Sequence, residues 1–156
     1  MGIEIERKFL VKGNAWRRLV TGKHYRQGYL TSDKDRAVRV RTIGETGYLT
    51  IKGISIGASR CEYEYEIPLN DADEMLDNLC LSPLIKKTRY KIPFEGLVWD
   101  VDEFGGANQG LIVAEVELET EDQFFVKPDW IGEQVTDDPR YYNANLIAHP
   151  FSMWKE

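Results

Sequence analysis

The sequence predicts an α+β fold made mainly of antiparallel strands, on three observations. Apolar and polar residues alternate with period two along most of the chain. Short turns rich in Gly separate the alternating runs, so neighbouring strands run antiparallel. Helix-like segments are few and fall between or after the strands. A set of about eight such strands packs as a sandwich or closes as a barrel.

The strands are predicted over Ile3–Val11, Tyr25–Thr31, Ala37–Ile43, Tyr48–Lys52, Cys61–Leu69, Lys86–Ile92, Leu97–Phe104 and Leu111–Glu119. Gly44-Glu45-Thr46-Gly47 turns the third into the fourth, and the Gly- and Ser-rich run Gly53 to Ser59 follows the fourth. Pro93-Phe94-Glu95-Gly96 and Gly105-Gly106-Ala107-Asn108 punctuate the last three. A helix is expected over Ala72–Leu81, capped by Asn70 or Asp71 and stopped by Pro83, with Met75, Leu76, Leu79 and Cys80 on one face. Shorter helices are expected over Asn14–Val20, over Thr120–Phe125 with Thr120 as cap, and over Asp138–Ala148 with Pro139 in its first turn.

At 156 residues and 42% apolar content, the chain suits one domain spanning residues 1–156 with a core of its own. Its longest apolar runs are about four residues, far short of the roughly 20 that a membrane-spanning helix needs. Cys61 and Cys80 make neither a disulfide framework nor a zinc site. These features suggest a soluble, reduced, cytoplasmic protein. The net charge of −6 hides a split: residues 1–60 carry 13 Lys/Arg against 5 Asp/Glu, and residues 61–156 carry 7 against 21. The acidic total argues against nucleic acid as a partner but leaves room for a basic pocket.

Strand parity sorts these charges onto single faces. Glu4, Glu6 and Lys8 share a face, as do Arg39 and Arg41, then Glu62, Glu64 and Glu66, then Lys87, Arg89 and Lys91, then Asp100 and Asp102, then Glu115, Glu117 and Glu119. On any one strand this is the ordinary wet side of a half-buried sheet. Aligned charges on six of the eight strands are a different matter, because like charges in a row repel unless something of opposite sign lies between them. Aligned carboxylates suit a divalent metal, and Mg²⁺ prefers hard oxygen ligands. Aligned Arg and Lys suit phosphate, Arg as a planar fork and Lys as a point charge. If the sheet curls so that these faces look inward, the lumen holds both signs, and a metal-bound polyphosphate matches both.

The same residues resemble the CYTH family, also called triphosphate tunnel metalloenzymes. Glu4-x-Glu6-x-Lys8 looks like that family's ExExK opening, and Arg39-x-Arg41, Lys52, Glu62-Tyr63-Glu64, Lys87-x-Arg89, Asp102 and Glu115-x-Glu117 follow in its order and spacing. Local runs such as SRCEYEYEI and GEQVTDDPRYYNANL are similar to its compact bacterial members. The resemblance implies a closed eight-stranded antiparallel β-barrel flanked by a few helices, with a charged tunnel. It implies hydrolysis of inorganic tripolyphosphate to pyrophosphate and phosphate with Mg²⁺ or Mn²⁺. Class IV adenylate cyclases and organic triphosphatases share the fold, so a nucleoside triphosphate is the alternative substrate; a non-catalytic polyphosphate or nucleotide binder is the alternative of another class.

On this reading Glu4, Glu6, Glu115 and Glu117 form the metal cluster, with Asp102 a further candidate ligand. Lys8, Arg39, Arg41, Lys52, Lys87 and Arg89 hold phosphate oxygens, and Glu62 and Glu64 orient these cations or a second metal. Lys87, Tyr29 and Glu6 are the candidates for the chemical step. The competing reading of Tyr29 is a packed wall residue, and that of Glu62 and Glu64 is ion pairing within the lumen. Lys91 and Arg60 are placed at the mouth or outside. His24 and His149 stand alone and are read as exposed; Cys61 and Cys80 are read as packing residues. Tyr63 and Tyr65 are expected to face outward into a helix-covered core. Arg140 reaches the site only if the segment Asp138–Ala148 closes one tunnel end. Outward apolar faces can also be covered by a second subunit, so a homodimer stays open. No membrane partner is expected.

Overall fold

The computed structural model describes residues 2–31 and 33–154. Nine strands form one antiparallel sheet: β1 (Gly2–Val11), β2 (Lys23–Thr31), β3 (Ala37–Ile43), β4 (Thr46–Ile56), β5 (Ser59–Ile67), β6 (Ile85–Phe94), β7 (Leu97–Phe104), β8 (Ile112–Glu117) and β9 (Ile131–Gln134). The neighbour order β5-β4-β3-β2-β6-β7-β8-β1 returns on itself because β1 also pairs with β5, which closes eight strands into a barrel. Closure removes the free edges that an open sheet exposes. The helices are α1 (Leu69–Asn78) and α2 (Asn143–Ala148), with 3₁₀ turns at Ala15–Arg18, Gly106–Asn108, Pro139–Tyr141 and Phe151–Met153. No helix among the described residues is long and apolar enough to cross a membrane.

β1 is the closing strand, and one of its edges serves two partners. Gly2 to Ile5 pair with β5, whereas Phe9 and Val11 pair with β9. Between them the Glu6 amide donates to the Ala58 carbonyl at 3.1 Å, and the Lys8 amide donates to Thr136 Oγ1 at 2.9 Å. The other edge pairs Glu6–Leu10 with β8. The residues Glu6 and Lys8 are thus held on both sides.

Three apolar clusters result. Outward faces of β1, β6, β7 and β8 bury Phe9, Ile92, Trp99, Val101 and Val116 beneath Trp16 and Ile131. Val40 packs outside against Ala72 and Leu76 of α1. The third cluster lies inside the barrel: Tyr29, Ala37, Ile85, Phe104 and Val113 have the parity of the charged residues and are covered by Tyr141, Leu146 and Ile147. The C-terminal segment therefore packs over one end of the barrel.

Several local expectations are corrected. α1 begins at Leu69 with Pro68 at its cap, so Asn70 and Asp71 fall inside its first turn and neither serves as the cap. Its buried face is Ala72 and Leu76, while Leu79 is exposed. Thr120–Phe125 is not helical: Glu121 reaches out to the Ala58 amide and the Arg7 guanidinium, and Gln123 Oε1 accepts from the Glu119 amide. The two long-range bonds of Glu121 and the local one of Gln123 outweigh a short helix of marginal intrinsic stability. Tyr63 and Tyr65 do face outward but are 37% and 59% exposed, because α1 packs on β2, β3 and β4 and leaves β5 uncovered. β9 has no counterpart among the strands that alternation predicts: Ile131–Gln134 is four residues with a glycine, too short to show a period.

Candidate active site

Inward-facing charges line a cavity of about 590 Å³ through the barrel. β1 supplies Glu4, Glu6 and Lys8, and β3 supplies Arg39 and Arg41. Lys52 comes from β4, Glu62 and Glu64 from β5, Lys87 and Arg89 from β6, Glu115 and Glu117 from β8, and Tyr29 from β2. Twelve of the predicted charged residues thus share one wall with Tyr29, as parity requires once the ring closes. Arg60 and Lys91 line it as well.

The cations fall into two kinds. Lys52 and Lys8 are neutralised: Lys52 Nζ lies 3.0 Å from Glu4 and 3.1 Å from Glu62, and Lys8 Nζ lies 3.1 Å from Glu115 and 3.8 Å from Glu6. Arg39 and Arg41 are not. They are 5% and 8% exposed. The only carboxylate within 4.0 Å of either, among the described residues, is Glu64, at that limit from Arg39. Among the described residues, buried Arg39 Nε has no hydrogen-bond partner, and Nη2 hydrogen-bonds Thr50 Oγ1 alone, at 3.3 Å. Arg41 Nε donates to Gln27 Oε1 at 2.8 Å, and its guanidinium carbon lies 5.1 Å from the Tyr25 ring centre. Burial, then the nearby charges of Arg39 and Arg89, push Arg41 down to about 9. Buried charge without a partner is expensive, so these two guanidiniums mark a place for an anion.

Asp102 stands apart from the other carboxylates. It is 1% exposed and accepts from Lys87 Nζ at 2.7 Å and from Arg89 Nε and Nη2 at 2.7 and 2.8 Å. Burial works against its charge, but Arg89 and Lys87 hold its carboxyl down to about 2. Both oxygens are engaged by cations, and the side chain sits behind Lys87 and Arg89 rather than on the cavity wall. Burial pushes the Lys87 ammonium down to about 7 despite the Asp102 charge, with Arg89 and Arg41 adding to the fall.

The acidic side is crowded. Burial, then repulsion from Glu115 and Glu4, push Glu6 up to about 8. Glu115 stays ionised because Lys8, Arg89 and Lys87 face it, and it shares a hydrogen bond with Glu6. Glu117 and Glu62 are raised, each chiefly by burial and then by Glu4. Among the described residues no three carboxylate, histidine or cysteine groups converge closely enough to hold a metal ion as they stand. The donor set is nevertheless all carboxylate oxygen, the Glu6–Glu115 pair retains one proton at neutral pH, and a divalent cation satisfies both without it. Those residues fit a hard metal ion.

The structure adds residues to the wall. Tyr25 offers its ring to Arg41, Lys87 and Arg89, with centroid distances of 5.1, 5.9 and 5.0 Å. Gln27, fully buried, bonds Arg41 and Asn143. Tyr142, Asn143, Ala144 and Asn145 line the cavity from the C-terminal segment. Arg140 does not reach it; its guanidinium is exposed and paired with Asp138 at 2.7 Å. Tyr25 and Gln27 share the parity of Tyr29 along β2 and so stand on the inner face. Nothing local marks Asn143, which comes from a segment distant in sequence. Tyr29 is 4% exposed, lines the cavity, and packs among Ala37, Ile85 and Phe104.

Comparison with known proteins agrees with this geometry. The CYTH domain profile matches residues 2–148. An inorganic triphosphatase of Acetivibrio thermocellus is 56% identical over 156 residues, covering 100% of both chains. One of Nitrosomonas europaea is 40% identical over 148 residues, covering 92% of this chain and 95% of its own. A crystal structure of an inorganic triphosphatase superposes with a TM-score of 0.66 at 34% identity, covering 92% of this chain and 96% of the other.

Proposed function

This chain belongs to the CYTH family, and on that footing we propose that it hydrolyses inorganic tripolyphosphate to pyrophosphate and phosphate with the help of Mg²⁺ or Mn²⁺. The observation that carries the reading is the pair of buried guanidiniums, Arg39 and Arg41, left without close carboxylates beside a cavity lined by both signs of charge. The full-length likeness to two inorganic triphosphatases supports tripolyphosphate as the substrate.

Arg39, Arg41 and Arg89 bind phosphate oxygens, with Lys8 and Lys52 beside the carboxylates to take further charge. Their positions are set by rigid strands, so little reorganisation accompanies the reaction. Glu4, Glu6, Glu115 and Glu117 would hold the metal, whose chemistry is to neutralise phosphate oxygens and to lower the basicity of the leaving group. Asp102 is a positioning residue: it holds Lys87 and Arg89 and has no oxygen left over. Lys87, lying near 7, exists partly as the free amine at neutral pH. Its amine takes a proton from the attacking water as that water's oxygen bonds the terminal phosphorus. The bridging P–O bond breaks and pyrophosphate leaves with its charge paired to the cations. Tyr29 shapes the wall beside the bound chain.

Phosphate release is measured from tripolyphosphate, ATP and thiamine triphosphate, each with Mg²⁺, Mn²⁺ or EDTA, and the ATP reactions are assayed for cyclic AMP. Metal-dependent turnover of tripolyphosphate well above the others is expected. Cyclic AMP from ATP would place the protein among the cyclases. Stabilisation of the fold by these ligands without turnover would make it a binder.

A further inference from the structure

The chemistry-bearing strands account for every cation of the site, but not for what keeps two of them in place. Lys87 is fully buried and uses one N–H on Asp102 Oδ2 at 2.7 Å. A second N–H points to Asn143 Oδ1 at 3.4 Å. The same Oδ1 accepts from Gln27 Nε2 at 3.3 Å, and Gln27 Oε1 accepts from Arg41 Nε at 2.8 Å. Arg41 can only donate, so the Gln27 amide has one orientation: oxygen to Arg41, nitrogen to Asn143. That in turn requires an acceptor at Asn143. A single relay therefore runs Lys87, Asn143, Gln27, Arg41, with each member's donor or acceptor role dictated by its neighbour. Gln27 is 0% exposed, so no water replaces it between Asn143 and Arg41.

Asn143 belongs to none of the barrel strands. It opens α2, whose Leu146 and Ile147 are anchored in the apolar cluster at the covered end of the barrel. Its side chain lines the cavity. We propose that Asn143 is a positioning residue for the triphosphatase reaction: through its Oδ1 it holds the Lys87 ammonium directly and the Arg41 guanidinium by way of Gln27, so that the C-terminal segment completes the substrate site. With two positions of Lys87 Nζ turned to Asp102 and Asn143, its third position faces the ligand, as the lone pair of the free amine before the proton is taken and as an N–H after it. Without Asn143, the buried Gln27 Nε2 has no acceptor, and Gln27, the one side chain that hydrogen-bonds Arg41 among the described residues, loses the anchor on its other side. This assignment rests on the reading of the cavity as a tripolyphosphate site.

The test is a double-mutant cycle of Asn143→Leu and Gln27→Leu, with Asn143→Asp as the variant that keeps an oxygen in place. Steady-state kinetics on tripolyphosphate with Mg²⁺ are paired with calorimetric binding of tripolyphosphate in EDTA, and thermal melts report the fold. Asn143→Leu is expected to lower kcat about 10- to 100-fold, a typical range for a misplaced catalytic group. Gln27→Leu is expected to weaken metal-free binding and to raise KM. The double variant is expected to lose far less than the product of the two, because they act as a unit. Asn143→Asp is expected to move the kcat profile to higher pH, because its charge favours the Lys87 ammonium, and to recover kcat to within a few-fold of wild type there, while KM rises from the added negative charge. All variants should melt as single cooperative transitions. Wild-type kcat in Asn143→Leu, fully multiplicative losses, or no rescue by Asn143→Asp would each overturn the assignment. If the wild type neither turns over nor binds tripolyphosphate, the reading of the cavity itself fails and the assignment falls with it; if the wild type works and Asn143→Leu equals it, only the assignment falls.

Discussion

Replacing Glu6 by Gln should stabilise the metal-free fold while abolishing metal-dependent turnover. In the fold Glu6 sits at about 8, against 4.5 for an ordinary glutamate, because it is buried beside Glu115 and Glu4. Its folded pKa is raised, so the stability it contributes is fully present below pH 4.5 and is lost as pH rises through 8. At pH 7 the folded chain holds a proton that the unfolded chain has released, and the penalty is about 3 kcal/mol, growing to about 5 kcal/mol above pH 8. The side chain is 23% exposed, so solvent screening reduces this, and about half is a reasonable expectation. Gln imitates the protonated acid: it keeps the volume and donates to Glu115 without needing a proton. The variant should therefore melt a few degrees above wild type at pH 7, at ~2–4 °C per kcal/mol for a chain of this size. The gap should widen towards pH 8 and vanish near pH 4.5. Thermal melts in EDTA across that range measure it. Equal melting temperatures at pH 8, or a gap independent of pH, would refute the claim that the carboxylates are crowded. Near-normal turnover of the variant would remove Glu6 from the metal set. A gain in stability with a loss of activity is the signature of a site held under electrostatic strain.

Arg41→Gln removes a buried charge without a close carboxylate; it should raise KM for tripolyphosphate at least 10-fold without lowering the melting temperature, as kinetics and melts together would show. For Lys87, kcat/KM should rise as pH passes about 7, and Lys87→Arg, which stays protonated, should lose both the rise and most of the rate. Metal uptake should release about one proton from the Glu6–Glu115 pair near neutral pH, visible as a buffer-dependent binding enthalpy in calorimetry. Leu146→Ala empties part of the apolar cluster at the covered barrel end and should cost about 2–5 kcal/mol in denaturant unfolding.

Side-chain parity is a local property of an extended backbone, so the sequence by itself determined which charges share a face. Glu4, Glu6, Lys8, Arg39, Arg41, Lys52, Lys87, Arg89, Glu115 and Glu117 all stand on the cavity wall as their spacing required. The opposite parity also put Val40, Trp99, Val101 and Val116 outside, where they are buried against other elements. What alternation cannot convey is which partner each side chain meets. Asp102 has the parity of a metal ligand, yet the β6–β7 register sets it opposite Arg89, and cations take both its oxygens. Tyr63 has the parity of a covered residue, yet α1 lies over other strands. Arg39 and Arg41 look alike to Lys52 and Lys8 in sequence, and only ring closure leaves the first pair with no carboxylate nearer than Glu64 at 4.0 Å, among the described residues, while the second pair is neutralised. The place of Asn143 depends on α2 anchoring Leu146 and Ile147 inside the barrel end, a contact between segments more than a hundred residues apart from the Gln27 it bonds. Faces are set within a few residues by backbone geometry; pairing, closure and the relay behind Lys87 arise from long-range contacts that no short stretch of sequence encodes.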